Sequence, residues 1–137
     1  MREIKFRQPL FSNGKFNRWH NWGYVDGCFV SPANGDLEIL SQQYIGLMDK
    51  NGKEIYEGDI VVDNSYPMFN DGLCNYRCVV IWDDTEAYFG LDMYCVSDRV
   101  RGLACPNSIS EYKQLEVIGN VYENPELLEV ECHPKTK

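Results

Sequence analysis

The run Gln43-Tyr44-Ile45-Gly46-Leu47-Met48-Asp49-Lys50-Asn51-Gly52-Lys53-Glu54-Ile55-Tyr56 constrains this chain more than any other stretch. Segments rich in aromatic and β-branched residues flank an Asn-Gly pair, which suits a type I′ turn because both residues tolerate positive φ. The pattern predicts a β-hairpin closed by a type I′ turn at Asn51-Gly52. Glu57-Gly58-Asp59 then breaks the run before Ile60-Val61-Val62 resumes it. Such a Gly-Asp break between apolar pairs predicts a bend or bulge at the corner of a small barrel. Asp49, Glu57 and Asp59 read as turn residues, since no calcium-loop register fits them.

The same reasoning extends along the chain. Ile4 and Phe6 alternate with Glu3, Lys5 and Arg7, the period of a half-exposed strand with a solvated charged face. Asn13-Gly14, Asp26-Gly27 and Asn34-Gly35-Asp36 mark further turns. Phe16, Trp19, Trp22 and Tyr24 predict an aromatic strand pair or packed loop. A hairpin joins Cys28-Phe29-Val30 to Leu37-Glu38-Ile39-Leu40 in this reading, and a second joins residues 78–82 to 87–91 across an acidic turn. Residues 64–76 and 97–110 read as loops, with Pro67, Met68 and Phe69 at an exposed tip. A last strand at 115–122 carries a kink or bulge at Gly119. Asn124 then serves as N-cap and Pro125 as first residue of a short helical turn.

The predicted fold is therefore mainly β, with the character of a small SH3-like barrel or β-sandwich and a short C-terminal helical turn. At 137 residues the chain suffices for one domain, whose core needs no disulfide or metal. Residues 1–42 and 43–128 are candidate β lobes within it, and 129–137 a frayed tail.

Charge narrows the partners. Thirteen Lys plus Arg stand against 21 Asp plus Glu, a net charge of -8. Binding a phosphate backbone depends on cationic contacts, so nucleic acid is disfavoured as a partner. It would require Arg2, Lys5, Arg7, Arg99 and Arg101 to converge with exposed aromatics on one face. The alternating start lacks a continuous apolar secretory run, and no stretch approaches 18 apolar residues. The expectation is a cytoplasmic protein with no membrane partner.

Chemical signatures are sparse. The spacing of Cys74 and Cys78 falls within the usual zinc pairing range. In an extended segment, however, the two would lie about 13 Å apart, too far for one ion. No second tight pair accompanies them, so the six cysteines read as core residues and no metal or cofactor is expected. Asp83, Asp84, Glu86 and Asp92 form the densest carboxylate group and read as exposed hairpin-turn acids. There is no Gly-rich phosphate loop, G-x-S-x-G or H-E-x-x-H. His20, between two tryptophans, reads as a packing residue, and nothing supports its pairing with a cysteine nucleophile. A non-enzyme is expected.

Three segments carry a resemblance. Residues 43–61, with Gln-Tyr-Ile-Gly-Leu-Met-Asp followed by Gly-Lys-Glu-Ile-Tyr-Glu-Gly-Asp-Ile-Val, resemble the hallmark of the YopX family of phage and prophage proteins. Val-Ile-Gly-Asn-Val-Tyr-Glu-Asn-Pro-Glu-Leu-Leu at 117–128 resembles its C-terminal signature, and Arg2-Glu3-Ile4-Lys5-Phe6-Arg7 its start. Ile45 departs from the more usual Thr, and residues 62–114 are not diagnostic. The resemblance implies a mostly-β, barrel-like fold, a phage or prophage origin, action in the bacterial cytoplasm and self-assembly into a homo-oligomer. It implies no catalytic residues. The expected function is a non-enzymatic, self-associating accessory factor that contacts an unidentified protein partner. Trp19, Trp22, Tyr24, Pro67, Met68, Phe69 and Tyr88 are its candidate contacts. The aromatic run 16–24 is nonetheless core rather than interface by the general tendency of large aromatics. The alternatives are a nucleic-acid-associated regulator and an enzyme with an unrecognised pocket.

Overall fold

A computed structural model of the chain describes residues 3–33, 40–63, 76–85, 87–95, 101–104 and 114–129, with the side chains of 76, 93–95 and 101–104 set aside. Two five-stranded antiparallel sheets account for most of it. The first, in order β3-β2-β1-β4-β5, contains β1 (Lys5–Ser12), β2 (Lys15–Val25), β3 (Cys28–Val30), β4 (Gln42–Met48) and β5 (Glu54–Tyr56). The second, in order β10-β6-β7-β8-β9, contains β6 (Asp59–Val62), β7 (Tyr76–Asp83), β8 (Tyr88–Cys95), β9 (Arg101–Ala104) and β10 (Glu116–Asn120). One 3₁₀ turn, Pro125–Leu128, follows. The mainly-β expectation holds.

The turns divide by their chemistry. Asn13-Gly14 (φ 54° and 78°) and Asp26-Gly27 (51° and 82°) are two-residue loops with both φ positive, and they fold β1, β2 and β3 into a meander. Asn51-Gly52 behaves differently: Gly52 lies at φ 83°, but Asn51 keeps negative φ. The type I′ expectation is corrected here to a longer hairpin. The Asp49 carboxylate accepts the N–H groups of Asn51 (2.8 Å) and Lys53 (2.9 Å). Gly52 N–H meanwhile donates to the Asp49 carbonyl at 3.0 Å. Local capping by the aspartate outweighs the dipeptide's own preference.

Glu57-Gly58 is the predicted corner. The chain leaves the first sheet at Tyr56 and enters the second at Asp59. Glu57 N–H donates to Gln43 (2.9 Å) and Gly58 N–H to Val80 (2.7 Å), while the Gly58 carbonyl accepts from Val121 (3.0 Å). The core straddles this corner: Ile45 and Ile55 from the first sheet meet Val61, Cys78, Val80 and Leu91 from the second, with Leu115. The cysteine of the suspected pair that the structure describes, Cys78, is thus a core residue; Cys74 lies outside the described residues.

Other expectations are refined. Phe16, Trp19, Trp22 and Tyr24 belong to one long strand, β2, paired with β1 and β3. Cys28–Val30 pairs with β2, and most of its expected partner, at 37–39, lies outside the described residues. Residues 78–82 and 88–91 pair as foreseen within β7 and β8. The register of β10 shifts between Val117 and Gly119, as foreseen. Asn124 makes no side-chain cap to the 3₁₀ turn. Asn124 is nonetheless the N-cap residue and Pro125 opens the turn, as expected, while the Asn124 Oδ1 accepts the Asn120 N–H at 3.2 Å. At Gly119 an added Cβ would lie 2.5 Å from Leu127, so glycine there lets the turn pack onto β10.

Candidate functional site

The charged face of β1 is not solvated. The side chains of Lys5 and Arg7 are only 16% and 12% exposed, whereas Ile4 is 48% exposed. Lys5 turns toward β4 and β5 of its own sheet, and Arg7 toward the start of the second sheet. Charges in such a place must be paired, because desolvating an isolated ion costs several kcal/mol or more. Lys5 Nζ lies 2.5 Å from Glu54, and Arg7 Nη2 donates to Asp59 Oδ1.

Asp59 is the hub. Its Oδ1 also accepts from Asn120 Nδ2 (2.9 Å), and its Oδ2 accepts the Tyr56 N–H (2.8 Å). Asn120 Nδ2 reaches Gln42 Oε1 at 2.7 Å. Asp59, Asn120 and Gln42 are 1%, 2% and 5% exposed. Burial pushes the Asp59 carboxyl above its usual range, while Arg7, Asn120 and the Tyr56 N–H pull the other way. The Arg7 guanidinium is clamped between Trp19 and Tyr56, 4.2 Å from each ring. Its Nε has no hydrogen-bond partner among the described residues. Burial raises Tyr56 to about 12, with Glu54 adding to the shift. Burial opposes the charge of Lys5, but Glu54 dominates in sum and lifts it to about 12.

The junction therefore joins β1, β4, the start of β6 and the end of β10. Apart from Arg7 Nε, its members turn their polar atoms mostly to one another, the arrangement of a structural latch.

Two open clefts flank it. One, of about 310 Å³, lies over Lys5, Arg7, Trp19 and Tyr56. The other, of about 510 Å³, is walled by Tyr44, Trp82, Tyr88 and Phe89 with Glu3 at its edge. Among the described residues no group of three His, Cys, Asp or Glu has metal-binding geometry. No helix among them is long and apolar enough to cross a membrane.

The model of the family described as YopX protein matches residues 13–129. The chain belongs to the YopX family. Among solved structures, the crystal structure of protein EF1440 from Enterococcus faecalis is similar, at 23% identity and a TM-score of 0.49, covering 94% of this chain and 100% of that one. No protein with a curated description matches. The YopX-like segments now have a physical meaning. Arg7 comes from the opening segment, Tyr56, Gly58 and Asp59 from the hallmark, and Gly119 and Asn120 from the closing signature. They meet at one inter-sheet junction, with Arg7 contributed from ahead of the matched span 13–129.

The candidate contacts scatter. Trp19 is half-buried against Arg7, with Nε1 3.2 Å from Glu123. Trp22 stacks on Phe6 (4.4 Å) and donates to Ser41 Oγ (2.9 Å). Tyr24, 58% exposed, meets Phe29 edge-on at 5.8 Å. Tyr88 lines the larger cleft. Pro67, Met68 and Phe69 lie outside the described residues, as do Arg2, Arg99 and Glu86. His20 is half-buried, with Nε2 2.8 Å from the Ser31 carbonyl. Sequence reasoning missed Arg7, Gln42, Asp59 and Asn120 as a cluster. The available signal was a polar residue directly after glycine at both Gly58-Asp59 and Gly119-Asn120, each inside an apolar run. Phe29 and Trp82 were also missed as exposed aromatics.

Proposed function

We propose that this YopX protein is a non-enzymatic accessory factor of a phage or prophage, acting in the bacterial cytoplasm by self-association and contact with a protein partner. One observation carries the reading: the charged and amide groups of the family segments hold the sheets together, while aromatic side chains stand outside. Phe29 (63% exposed), Tyr24 (58%) and Trp82 (43%) are large side chains of the type that anchor protein interfaces. Tyr24 and Phe29 share the outer end of the first sheet, where β3 is, among the described residues, an edge strand without a charge or proline. Such an edge lacks the usual guards against pairing with another chain. Commitment of Lys5 to Glu54 and of Arg7 to Asp59 favours a protein partner over nucleic acid.

Native mass spectrometry of the purified protein tests the reading. A clean multiple of the chain mass is expected, shifting toward monomer in the double variant Tyr24→Ser/Phe29→Ser. A wild-type monomer carrying nucleic acid or a metal would overturn it.

A further inference from the structure

The larger cleft has chemistry of its own. Trp82 and Phe89 meet at 5.0 Å in an edge arrangement, and Tyr44 and Tyr88 complete an aromatic lining. Glu3 stands at the edge, its side chain 54% exposed and 3.4 Å from Lys5. Aromatic faces bordered by carboxylates attract cations through the ring quadrupole and through direct charge. The molecule already uses this pairing internally: Arg7 lies 4.2 Å from Trp19 and from Tyr56, and Lys5 lies 4.9 Å from Tyr44. Lys5 thus occupies one side of Tyr44, but Trp82 remains 43% exposed to an incoming group.

We infer that this cleft is a docking site for a basic segment of a protein partner, seating an arginine or lysine side chain against Trp82 and Tyr88 with Glu3 as counter-charge. The occupant follows from charge complementarity. A chain of net charge -8 draws a cationic partner from a distance, and the cleft supplies short-range selection. At about 510 Å³ it has the size of pockets that hold small ligands, enough for a long side chain and its neighbours. The inference rests on the protein-contact reading above and names the chemistry of one contact.

The test uses the full chain and a fluorescent, end-capped peptide of alternating glycine and arginine, with glutamate replacing arginine in the control. Fluorescence anisotropy should show binding of the arginine peptide alone. Trp82→Leu should weaken it about tenfold, and Tyr88→Leu should also weaken it. Neither change alters net charge, so attraction to an acidic surface in general would leave the affinity unchanged. Trp82→Phe should retain most of it, and Tyr24→Leu, outside the cleft, should leave it intact. In the wild-type protein, titration should move the Trp82 indole resonance and leave those of Trp19 and Trp22 in place. Equal affinity in wild type and Trp82→Leu, a stationary Trp82 resonance, or no binding of the arginine peptide would each overturn the inference. A protein that self-associates yet ignores the peptide loses this inference and keeps the broader function. A monomer that binds the peptide through Trp82 does the reverse for self-association.

Discussion

Asp49 and Asp59 are both buried aspartates, and their surroundings send their acidities in opposite directions. For Asp49, burial opposes the charge, but N–H groups of Val117, Lys53 and Asn51 outweigh it and hold the carboxyl below its ordinary value. A lowered folded-state pKa gives stability that is present above the unfolded value, near 3.9, and is lost as pH falls through the folded one. Asp59 is raised by burial, so its contribution has the opposite sign: present below the unfolded pKa and lost as pH rises through the folded one. Asp49→Asn should therefore cost about 2 kcal/mol at pH 7, the scale of lost charge-assisted hydrogen bonds. It should also flatten the decline below pH 4. Urea midpoints at pH 7 and pH 3 for both proteins measure this, and an unchanged pH slope would refute the assignment. At this scale the sequence was only partly legible. Asp49 was readable as a turn residue, but its bond to Val117, 68 residues away, was not.

Among the connecting elements, Gly52 and Gly58 share nearly the same backbone, at φ 83° and 85°. Their surroundings differ. A Cβ on Gly52 meets nothing within 4 Å, whereas one on Gly58 would overlap the Gln42 carboxamide. Gln42 cannot swing aside cheaply, being 5% exposed and bonded to Asn120. Gly52→Ala should cost about 1 kcal/mol, the strain of a left-handed residue. Gly58→Ala should cost at least twice as much, about 3 kcal/mol, because overlap in a packed site adds to strain. Thermal melts of the two variants decide, and equal losses would show that the corner yields. Elements were the most legible scale. The hairpin at 78–91, the corner at Glu57-Gly58 and the bulge at Gly119 follow from local residue chemistry. The turn type at Asn51-Gly52 was misread because the Asp49 carboxylate takes the backbone N–H groups of that loop.

At the scale of the molecule, the sheets share a core and are tied by Arg7 to Asp59 and Gln42 to Asn120. Such coupling makes independent unfolding of either sheet costly, since one sheet alone would leave a buried charge unpaired. A single transition follows. Trp19 and Trp22 report on the first sheet and Trp82 on the second. Their indole resonances should vanish at one urea midpoint, and two separate midpoints would show that the junction does not couple the sheets. The charged face of β1 belongs to this scale too. Alternation in the sequence separates Lys5 and Arg7 from Ile4 and Phe6, but which face turns inward depends on the carboxylates the fold brings to it, here Glu54 from β5 of the same sheet and Asp59 from the second sheet.

By itself the sequence determined what neighbouring residues can settle: strands from aromatic and β-branched runs, turns from Gly, Asn and Asp, and membership of a family from its motifs. The tertiary structure alone decided which polar residues meet and which aromatics stay outside. Arg7, Gln42, Asp59 and Asn120 are separated by as many as 113 positions, and no local pattern encodes that they share a dry junction. The physical reason is the range of the forces. Backbone preference acts over a few residues, whereas the need to pair a buried charge acts on whatever the fold brings within hydrogen-bond reach.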